Sequence, residues 1–207
     1  MRFSIIIPAH NSAGHIRRAL DSIAAQTYKD YELIVICDSC TDSTEDIARE
    51  YGAITEAVEF HADGLTRNRG LELATGDYIL FMDDDDWWLH EYVLQLLSDR
   101  IDLLPSADII CFSFIFRHIG YARPVRKSCG AHWIACWNKC YKHDSIGDSR
   151  FSDVTDGSAD VQFFTSMFYR GLRISDWDMP LYYYNYWRGN TISEKNTPDL
   201  RGRTDIL

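Results

Sequence analysis

The sequence predicts an α/β fold in which a mixed, mostly parallel sheet is flanked by helices. In the first half of the chain, strand-like runs alternate with helix-like stretches, which is the pattern of parallel strands connected by helices. The runs at 5–8, 32–37 and 78–82 are almost entirely apolar, as expected for strands that are buried on both faces. Between the first two runs, Ile16 and Leu20 lie at the spacing of one helix face.

The remaining elements follow from the same signals, and together they indicate one domain over residues 1–207. Asp42 with Glu45 three residues later resembles a capping box that opens the second helix. Further strands are predicted at 54–60, 107–116, 131–137, 172–174 and 181–187, and further helices at 65–74, 89–101 and 160–169. Residues 189–207 are polar and rich in turn-forming residues, so we expect a flexible loop or tail there.

The composition is that of an ordinary soluble protein with an excess of acidic groups. Hydrophobic residues make up 46% of the 207 residues and charged residues 25%, which leaves enough apolar material for a sizeable core. The formal net charge of −10 argues against nucleic acid or an anionic membrane surface as the main partner. If the ligand is a nucleotide, a cation has to lie between its phosphates and this acidic protein.

The start of the chain and the cysteines predict a cytoplasmic protein. The chain opens with Met1 and runs directly into a short strand, and no apolar stretch approaches the roughly 20 residues of a membrane span. Because no secretory signal is visible, we expect the six cysteines to be free thiols in a reducing compartment.

Three polar clusters follow predicted strands of the sheet, at 8–11, 38–42 and 83–86. Ligands of open parallel sheets bind at the carboxyl ends of the strands, so these clusters predict one site. Four consecutive carboxylates repel one another, and the hard cations Mn²⁺ and Mg²⁺ bind such oxygens and bridge to a diphosphate. In an extended segment Asp83 and Asp85 point to the same side. The alternative is an aspartate-rich helix start that the helix dipole favours.

A series of motifs in the first half of the chain resembles glycosyltransferase family 2, which has the GT-A type nucleotide-binding fold. The opening stretch is Ser-Ile-Ile-Ile-Pro-Ala-His-Asn at 4–11, and the matching stretches that follow it in order are 20–28, 31–35, 39–44, 66–71, 74–82 and the four aspartates at 83–86. The resemblance implies a nucleotide-sugar half at 1–105 and an acceptor-side half at 106–188.

The resemblance implies roles for individual residues of the donor site. The segment Pro8, Ala9, His10 and Asn11 would line the nucleotide, and Asp38 would accept a hydrogen bond from the base, which suits the ring N–H of uracil. The other donor-side positions are Arg67 near the nucleotide or its phosphates, Asp83 on the ribose side, Asp84 in a supporting role, and Arg188 in the closing segment with the loop over the donor. Asp85 and Asp83 would be the ligands of Mn²⁺ or Mg²⁺.

The resemblance also implies an acceptor side and a mechanism. Asp160 lies where the family places its general base, although Ala159 stands where the family has a glutamate; Asp153 and Asp156 are the other candidates. The implied reaction is one inverting displacement that moves a sugar from a nucleotide-diphosphate sugar to a hydroxyl of a glycan or lipid-linked acceptor. A UDP-sugar is the favoured donor. Peripheral association with the inner face of the membrane is a further expectation. Trp88 and Trp137 could stack on acceptor sugars, with core packing as the alternative.

Three other interpretations stay open at this stage. Cys37, Cys40, Cys136 and Cys140 have spacings that could hold a structural zinc ion. A sugar nucleotidyltransferase would share the fold, although such enzymes usually open with a glycine-rich phosphate loop. The departure at Ala159 also leaves room for a non-catalytic carbohydrate-binding relative.

Overall fold

The computed structural model describes residues 1–118, 121–125, 135–155 and 157–185, with the backbone alone described at 116–118 and 121–125. In chain order the elements are β1 Phe3–Ala9, α1 Ile16–Ala24, β2 Tyr31–Asp38, α2 Thr44–Glu50, β3 Ile54–Val58, α3 Asp63–Leu73, β4 Tyr78–Phe81, β5 Trp87–Trp88, α4 Val93–Leu103, β6 Ile109–His118, β7 Tyr121–Val125, β8 Lys139–Lys142, α5 His143–Ile146, α6 Ala159–Tyr169 and β9 Ile174–Tyr184.

The strands of the described residues form one mixed sheet in the order β3-β2-β1-β4-β8-β6-β9-β5, with β7 paired to β6. The pairs β1–β2, β1–β4 and β2–β3 are parallel, whereas β8 runs antiparallel to both β4 and β6. This confirms the predicted α/β fold. Because β1, β2 and β4 are parallel neighbours, their carboxyl ends lie at one edge of the sheet, which we call the rim.

The sheet is covered on both faces, and alternate strand residues divide between two core clusters. Ile5 and Ile7 pack into the first cluster with α1 and α4, whereas Ile6 packs into the second with α6. All seven residues of β1 are buried, which is why its sequence reads as a continuous apolar run. The sequence pattern of this strand therefore reflects burial on both faces.

Several element boundaries differ from the sequence prediction for identifiable reasons. Helix α4 begins at Val93 instead of residue 89, because Trp87–Trp88 form a short strand paired with β9. The predicted strands at 172–174 and 181–187 are one strand, Ile174–Tyr184, which accommodates Pro180 through a register shift against β6. The predicted strand at 131–137 is displaced to Lys139–Lys142, and residues 189–207 lie outside the described part.

The cysteines of the described part agree with the free-thiol prediction at four positions. Cys37, Cys40, Cys136 and Cys140 are free, and burial raises the pKa of Cys37 to about 12. The prediction is wrong for Cys111, which is disulfide-bonded. In the same part of the chain, no helix has the length and apolar character needed to cross a membrane.

Candidate functional site: the rim of the parallel sheet

The segments that follow β1 and β2 contact each other at the rim. His10 places Nδ1 2.6 Å from the carbonyl oxygen of Asp38, and since a carbonyl only accepts, Nδ1 carries the proton. Asn11 accepts at Oδ1 from the backbone N–H of Thr41 at 2.8 Å, and its own N–H donates to Cys40 Sγ at 3.4 Å. The segment of Pro8, Ala9, His10 and Asn11 is thus held at the carboxyl end of β1, with Ala9 buried.

The segments that follow the rim strands contain residues with unusual, positive φ angles. Among the described residues, the non-glycine residues with positive φ are Asn11 at 49°, Ser39 at 54° and His61 at 53°. Each lies just beyond the end of β1, β2 or β3. Such conformations cost energy for residues with a Cβ and cluster at ligand sites in many proteins. Their placement on three adjacent strand ends marks the rim as a functional surface.

Asp38 is the hydrogen-bonding centre of the loop after β3. Its Oδ1 accepts from the backbone N–H groups of Phe60 at 2.8 Å and His61 at 3.0 Å and from Ser39 Oγ at 2.9 Å. Its Oδ2 accepts from the Ala62 N–H at 3.1 Å and Thr66 Oγ1 at 3.0 Å. These five donors already occupy the carboxylate, so a base N–H would have to compete with them. The structure assigns Asp38 first to holding the loop.

The pKa of Asp38 reflects this environment. Burial raises the pKa, but hydrogen bonds led by those of His61, Ser39 and Thr66 outweigh it, so the pKa lies below its ordinary value. The carboxylate is therefore charged throughout the neutral range, and both of its oxygens accept hydrogen bonds from the loop donors.

The four aspartates after β4 divide into groups with different surroundings. Asp84 turns towards the segment after β1, where its carboxylate accepts from Ser12 Oγ and lies 3.5 Å from His15 Nε2. Asp86 is fully buried and accepts from Tyr182 Oη at 2.6 Å and the Asn185 N–H at 2.7 Å. Burial and the neighbouring aspartates hold the pKa of Asp86 well above its ordinary value.

Arg67 of α3 links the aspartates to α6. Its Nη2 lies 2.7 Å from Asp83 Oδ1, and its Nη1 lies 3.9 Å from Asp160 Oδ1. The guanidinium is buried, and its Nε has no hydrogen-bond acceptor among the described residues. Sequence reasoning places Arg67, Asp83 and Asp160 in one site, and the structure brings all three together.

Negative charge accumulates around Asp83. Burial raises its pKa to about 7; Arg67 opposes this shift, while the charges of Asp85 and Asp160 add to it. Asp85 is itself buried, at 8% exposure. Arg67 therefore faces two carboxylates, those of Asp83 and Asp160, and carboxylate oxygens are the hard ligands that Mg²⁺ and Mn²⁺ prefer.

The protein side chains alone supply only part of the ligand set that a divalent cation needs. Within the part of the chain that the structure describes, no group of three or more histidine, cysteine, aspartate and glutamate side chains is arranged to hold a metal. This pattern suits an ion held by one or two carboxylates and completed by substrate phosphates. The four-cysteine zinc interpretation finds no support in these residues.

Asp160 occupies the first turn of α6, and its contacts come from outside the helix. The backbone N–H of Cys136 donates to Asp160 Oδ2 at 3.0 Å, and Arg67 faces Oδ1. Ala159 is buried in the core beside it. Of the other candidate bases, Asp153 is exposed and Asp156 lies outside the described residues, as does the predicted donor residue Arg188.

The two tryptophans predicted on the acceptor side are core residues in the structure. Trp88 is 4% exposed, and Trp137 is 5% exposed. The Trp137 ring is stacked on the rings of Tyr182 and Tyr184, with centroid distances of 4.8 Å in both pairs. Neither indole presents a face to a sugar, which corrects the acceptor-stacking prediction. Their apolar surface is used in packing, the alternative that the sequence left open.

A family model described as Glycosyl transferase family 2 matches residues 4–159 of this chain. The chain belongs to glycosyl transferase family 2. The resemblance of the motifs is thereby confirmed, and the chain has the GT-A fold. The match runs from β1 to the first residue of α6, so it includes every strand end of the rim.

Relatives of this family 2 chain are similar to it over most of its length. The putative glycosyltransferase EpsH of Bacillus subtilis is 29% identical over 210 residues, covering 87% of this chain and 60% of that protein. The crystal structure of S. aureus TarS 1–349 in complex with UDP-GlcNAc has a TM-score of 0.80 and 25% identity, covering 93% of this chain and 61% of that one. The chain thus spans about three fifths of each of these relatives.

A third similarity concerns the fold alone. Glucosyl-3-phosphoglycerate synthase from Mycobacterium tuberculosis, in complex with Mn²⁺, UDP and glucosyl-3-phosphoglycerate, has a TM-score of 0.66 at 18% identity. It covers 93% of this chain, and this chain covers 74% of it. The sheet order and the rim therefore belong to an architecture that recurs at low sequence identity.

Sequence reasoning missed two residues that organise the site. Tyr182 donates to Asp86 and accepts from the backbone N–H of Asp83 at 3.1 Å, so it fixes the aspartate segment from β9. Lys139 is fully buried at the start of β8, near Asp160. Tyr182 belongs to a tyrosine run and Lys139 to a mixed polar segment, and only the tertiary pairing of their strands shows what they contact.

Proposed function

We propose that this glycosyltransferase moves a sugar from a UDP-sugar to a hydroxyl group of a glycan or lipid-linked acceptor, with inversion at the anomeric carbon. The observation that carries the proposal is the placement of Arg67 between Asp83 of the rim and Asp160 of α6. This arrangement puts a cation able to bind phosphate next to a candidate base, with 3.9 Å between Arg67 Nη1 and Asp160 Oδ1.

The donor half of the site accounts for nucleotide binding. Arg67 has the positive charge to attract a phosphate, while the loop held by Asp38 and the segment 8–11 supply backbone groups at the same rim. Asp38 therefore shapes the base pocket by fixing the loop at residues 60–62. The UDP preference is supported by a relative, TarS, whose structure contains UDP-GlcNAc.

Asp85 and Asp83 are the residues that would hold a divalent cation. When bound, Mn²⁺ or Mg²⁺ supplies positive charge that stabilises the leaving diphosphate. Asp83 is also held by Arg67, which fixes its orientation before any ligand arrives. The net charge of −10 supports the proposal of such a cation, because positive charge beside the carboxylates would offset their repulsion of a diphosphate.

Asp160 is the proposed general base for the acceptor hydroxyl. Its Oδ2 is held by the Cys136 N–H, and the side chain is 20% exposed, so it is both oriented and reachable. It takes the hydroxyl proton as the acceptor oxygen attacks the anomeric carbon and the bond to the diphosphate breaks. Such a role contributes roughly 10²–10⁴-fold to the rate.

The test combines binding and turnover in the same variants. Calorimetry with UDP and Mn²⁺ should show metal-dependent binding that Asp85→Ala abolishes and Asp160→Asn leaves intact. UDP release from a panel of UDP-sugars, with and without candidate acceptors, should be lost in Asp160→Asn. Asp153→Asn is the control, because it removes an exposed carboxylate that lies shortly before the same helix.

Specific outcomes would contradict the proposal. Full activity in Asp160→Asn with loss in Asp153→Asn would move the base to Asp153. Absence of UDP binding with any divalent cation would reject the donor assignment. Binding of a sugar nucleotide without turnover in the unmodified chain, across the panel, would favour a non-catalytic carbohydrate-binding relative.

A further inference from the structure

Lys139 is a buried cation whose surroundings suggest a specific task. Its side chain is 0% exposed, although lysine is among the residues least often fully buried. Nζ donates to the carbonyl oxygen of Ala135 at 2.5 Å and to Asn138 Oδ1 at 2.8 Å, and it lies 4.8 Å from the Phe164 ring centroid. Burial lowers the pKa of Lys139 to about 8, against the opposing influence of Cys136 and Asp160.

The contact with Ala135 connects Lys139 to the proposed base through one peptide unit. The carbonyl of Ala135 and the N–H of Cys136 belong to the same planar peptide group, so they point in opposite directions. Lys139 binds the carbonyl end, and the N–H end donates to Asp160 Oδ2 at 3.0 Å. Fixing the orientation of the carbonyl therefore fixes the direction of the N–H. A cation at the carbonyl also polarises the amide and strengthens its donor.

A second cation acts on the other oxygen of Asp160. Arg67 Nη1 lies 3.9 Å from Oδ1, which is longer than a hydrogen bond, and the same guanidinium is engaged by Asp83 at 2.7 Å. If the Cys136 N–H turned away, the carboxylate would be free to rotate towards Arg67 and form a closer ion pair. A carboxylate in that pair is a weaker base and points away from the acceptor.

We propose that Lys139 is a positioning residue for Asp160, acting through the peptide between Ala135 and Cys136. Asn138 supports this arrangement, because its side chain accepts from Lys139 and donates to the carbonyl of Phe112 at 3.3 Å. The lysine thus ties the start of β8 to the first turn of α6. This inference rests on the proposed function, in which Asp160 is the general base.

The test compares Lys139→Met with Lys142→Met in the full chain. Lys142 lies at the other end of the same strand and is half-buried, so its substitution controls for the general loss of a lysine. UDP release from UDP-GlcNAc in the presence of Mn²⁺ gives kcat and KM, with water as the acceptor. We expect Lys139→Met to lower kcat by about tenfold, below the full effect of losing a base, at unchanged KM. Lys142→Met should match the wild type.

A second measurement reports on the peptide itself. The amide proton of Cys136 should shift upfield in Lys139→Met, because its hydrogen bond to Asp160 weakens, and it should stay in place in Lys142→Met. If Lys139→Met does not fold, Lys139→Leu also removes both the charge and the donor to the Ala135 carbonyl, and the same two readouts apply. The amide shift does not depend on turnover.

The two readouts separate the inference from the proposed function. A wild-type kcat together with an unmoved Cys136 amide in a folded Lys139 variant would overturn the positioning role. A lowered kcat with a raised KM and an unmoved amide would also overturn it, since that pattern reports general damage. A wild type that releases no UDP from any UDP-sugar of the panel, while its Cys136 amide still responds to Lys139→Met, would refute the proposed function and leave the contact in place.

Discussion

Asp38→Asn is the sharpest single test of how the rim is built. The substitution keeps the shape of the side chain and one acceptor oxygen, which can still serve the donors of Phe60, His61 and Ser39. Its NH₂ group replaces Oδ2 and faces the Ala62 N–H, a donor that then has no acceptor in a buried place. Thr66 keeps an alternative, because its hydroxyl also contacts the Ala62 carbonyl at 3.0 Å.

The expected cost follows from these contacts. An unsatisfied buried donor costs about 1–3 kcal/mol, and hydrogen bonds to a neutral acceptor are roughly half as strong as those to a carboxylate. Together these effects predict a loss of about 3 kcal/mol in the free energy of unfolding. For a chain of this size that corresponds to a fall in Tm of roughly 6–12 °C.

The pH dependence of this loss has a definite sign. Because the pKa of Asp38 in the folded protein lies below its ordinary value of 3.8, the charged carboxylate contributes stability that is complete above that value. The contribution disappears as the pH falls through the folded-state pKa. The difference in unfolding free energy between the wild type and Asp38→Asn should therefore be constant from pH 7 to about 4.5 and shrink below pH 4.

Urea unfolding followed by tryptophan fluorescence measures these differences, with Asp21→Asn as the control. Asp21 is exposed and accepts a hydrogen bond from Tyr51 Oη at 2.6 Å, so its substitution should change stability by under about 0.5 kcal/mol. Equal effects of the two substitutions, or an Asp38→Asn effect that persists unchanged below pH 4, would refute the role of the carboxylate in holding the loop.

Three further substitutions test the core and the rim. Tyr182→Phe leaves Asp86 without its hydroxyl donor and should cost about 1–3 kcal/mol in urea unfolding; a neutral result would show that Asp86 does not need this contact. Phe163→Ala empties a fully buried site among aromatic rings and should cost about 3–5 kcal/mol, whereas Phe168→Ala, at 57% exposure, should cost little; similar values for both would contradict the placement of α6. Gly76→Ala brings a Cβ within 2.8 Å of the Ser4 backbone nitrogen and should lower Tm by several degrees, and an unchanged Tm would contradict this close approach.

The first half of the fold could be predicted from the sequence because burial there is regular. The strand β1 is buried along its whole length and reads as an apolar run, and α1 buries Ile16, Leu20 and Ile23 at helical spacing. The strand at Ile174–Tyr184 lacks such a signal, because polar residues and Pro180 interrupt it. Its continuity depends on pairing with β6 and on a register shift, neither of which is local.

In the site, too, the sequence predicts which residues follow a strand, whereas contacts between residues far apart in the chain are visible only in the structure. The sequence places Asp83 and Asp85 at a strand end, and the structure brings Asp83 together with Arg67 and Asp160. The sequence could not show that Asp38 is already occupied by five donors, since four of them come from residues 22 to 28 positions later. The sequence also could not distinguish an indole that binds a sugar from one packed in the core, because Trp88 has the same side chain in both situations.

The charge balance of the rim connects these observations. Asp38 and Asp84 direct their charge at loop donors and at the segment after β1, and Asp86 is buried against Tyr182. What remains at the centre is Asp83 and Asp85, with Arg67 as the neighbouring cation. The pKa of Asp83, raised to about 7, means that a proton is easily held there in the absence of other positive charge. A cation that brings in a diphosphate would take the place of that proton, so the acidic residues that make an empty rim unfavourable are the same ones that favour a metal-bound donor.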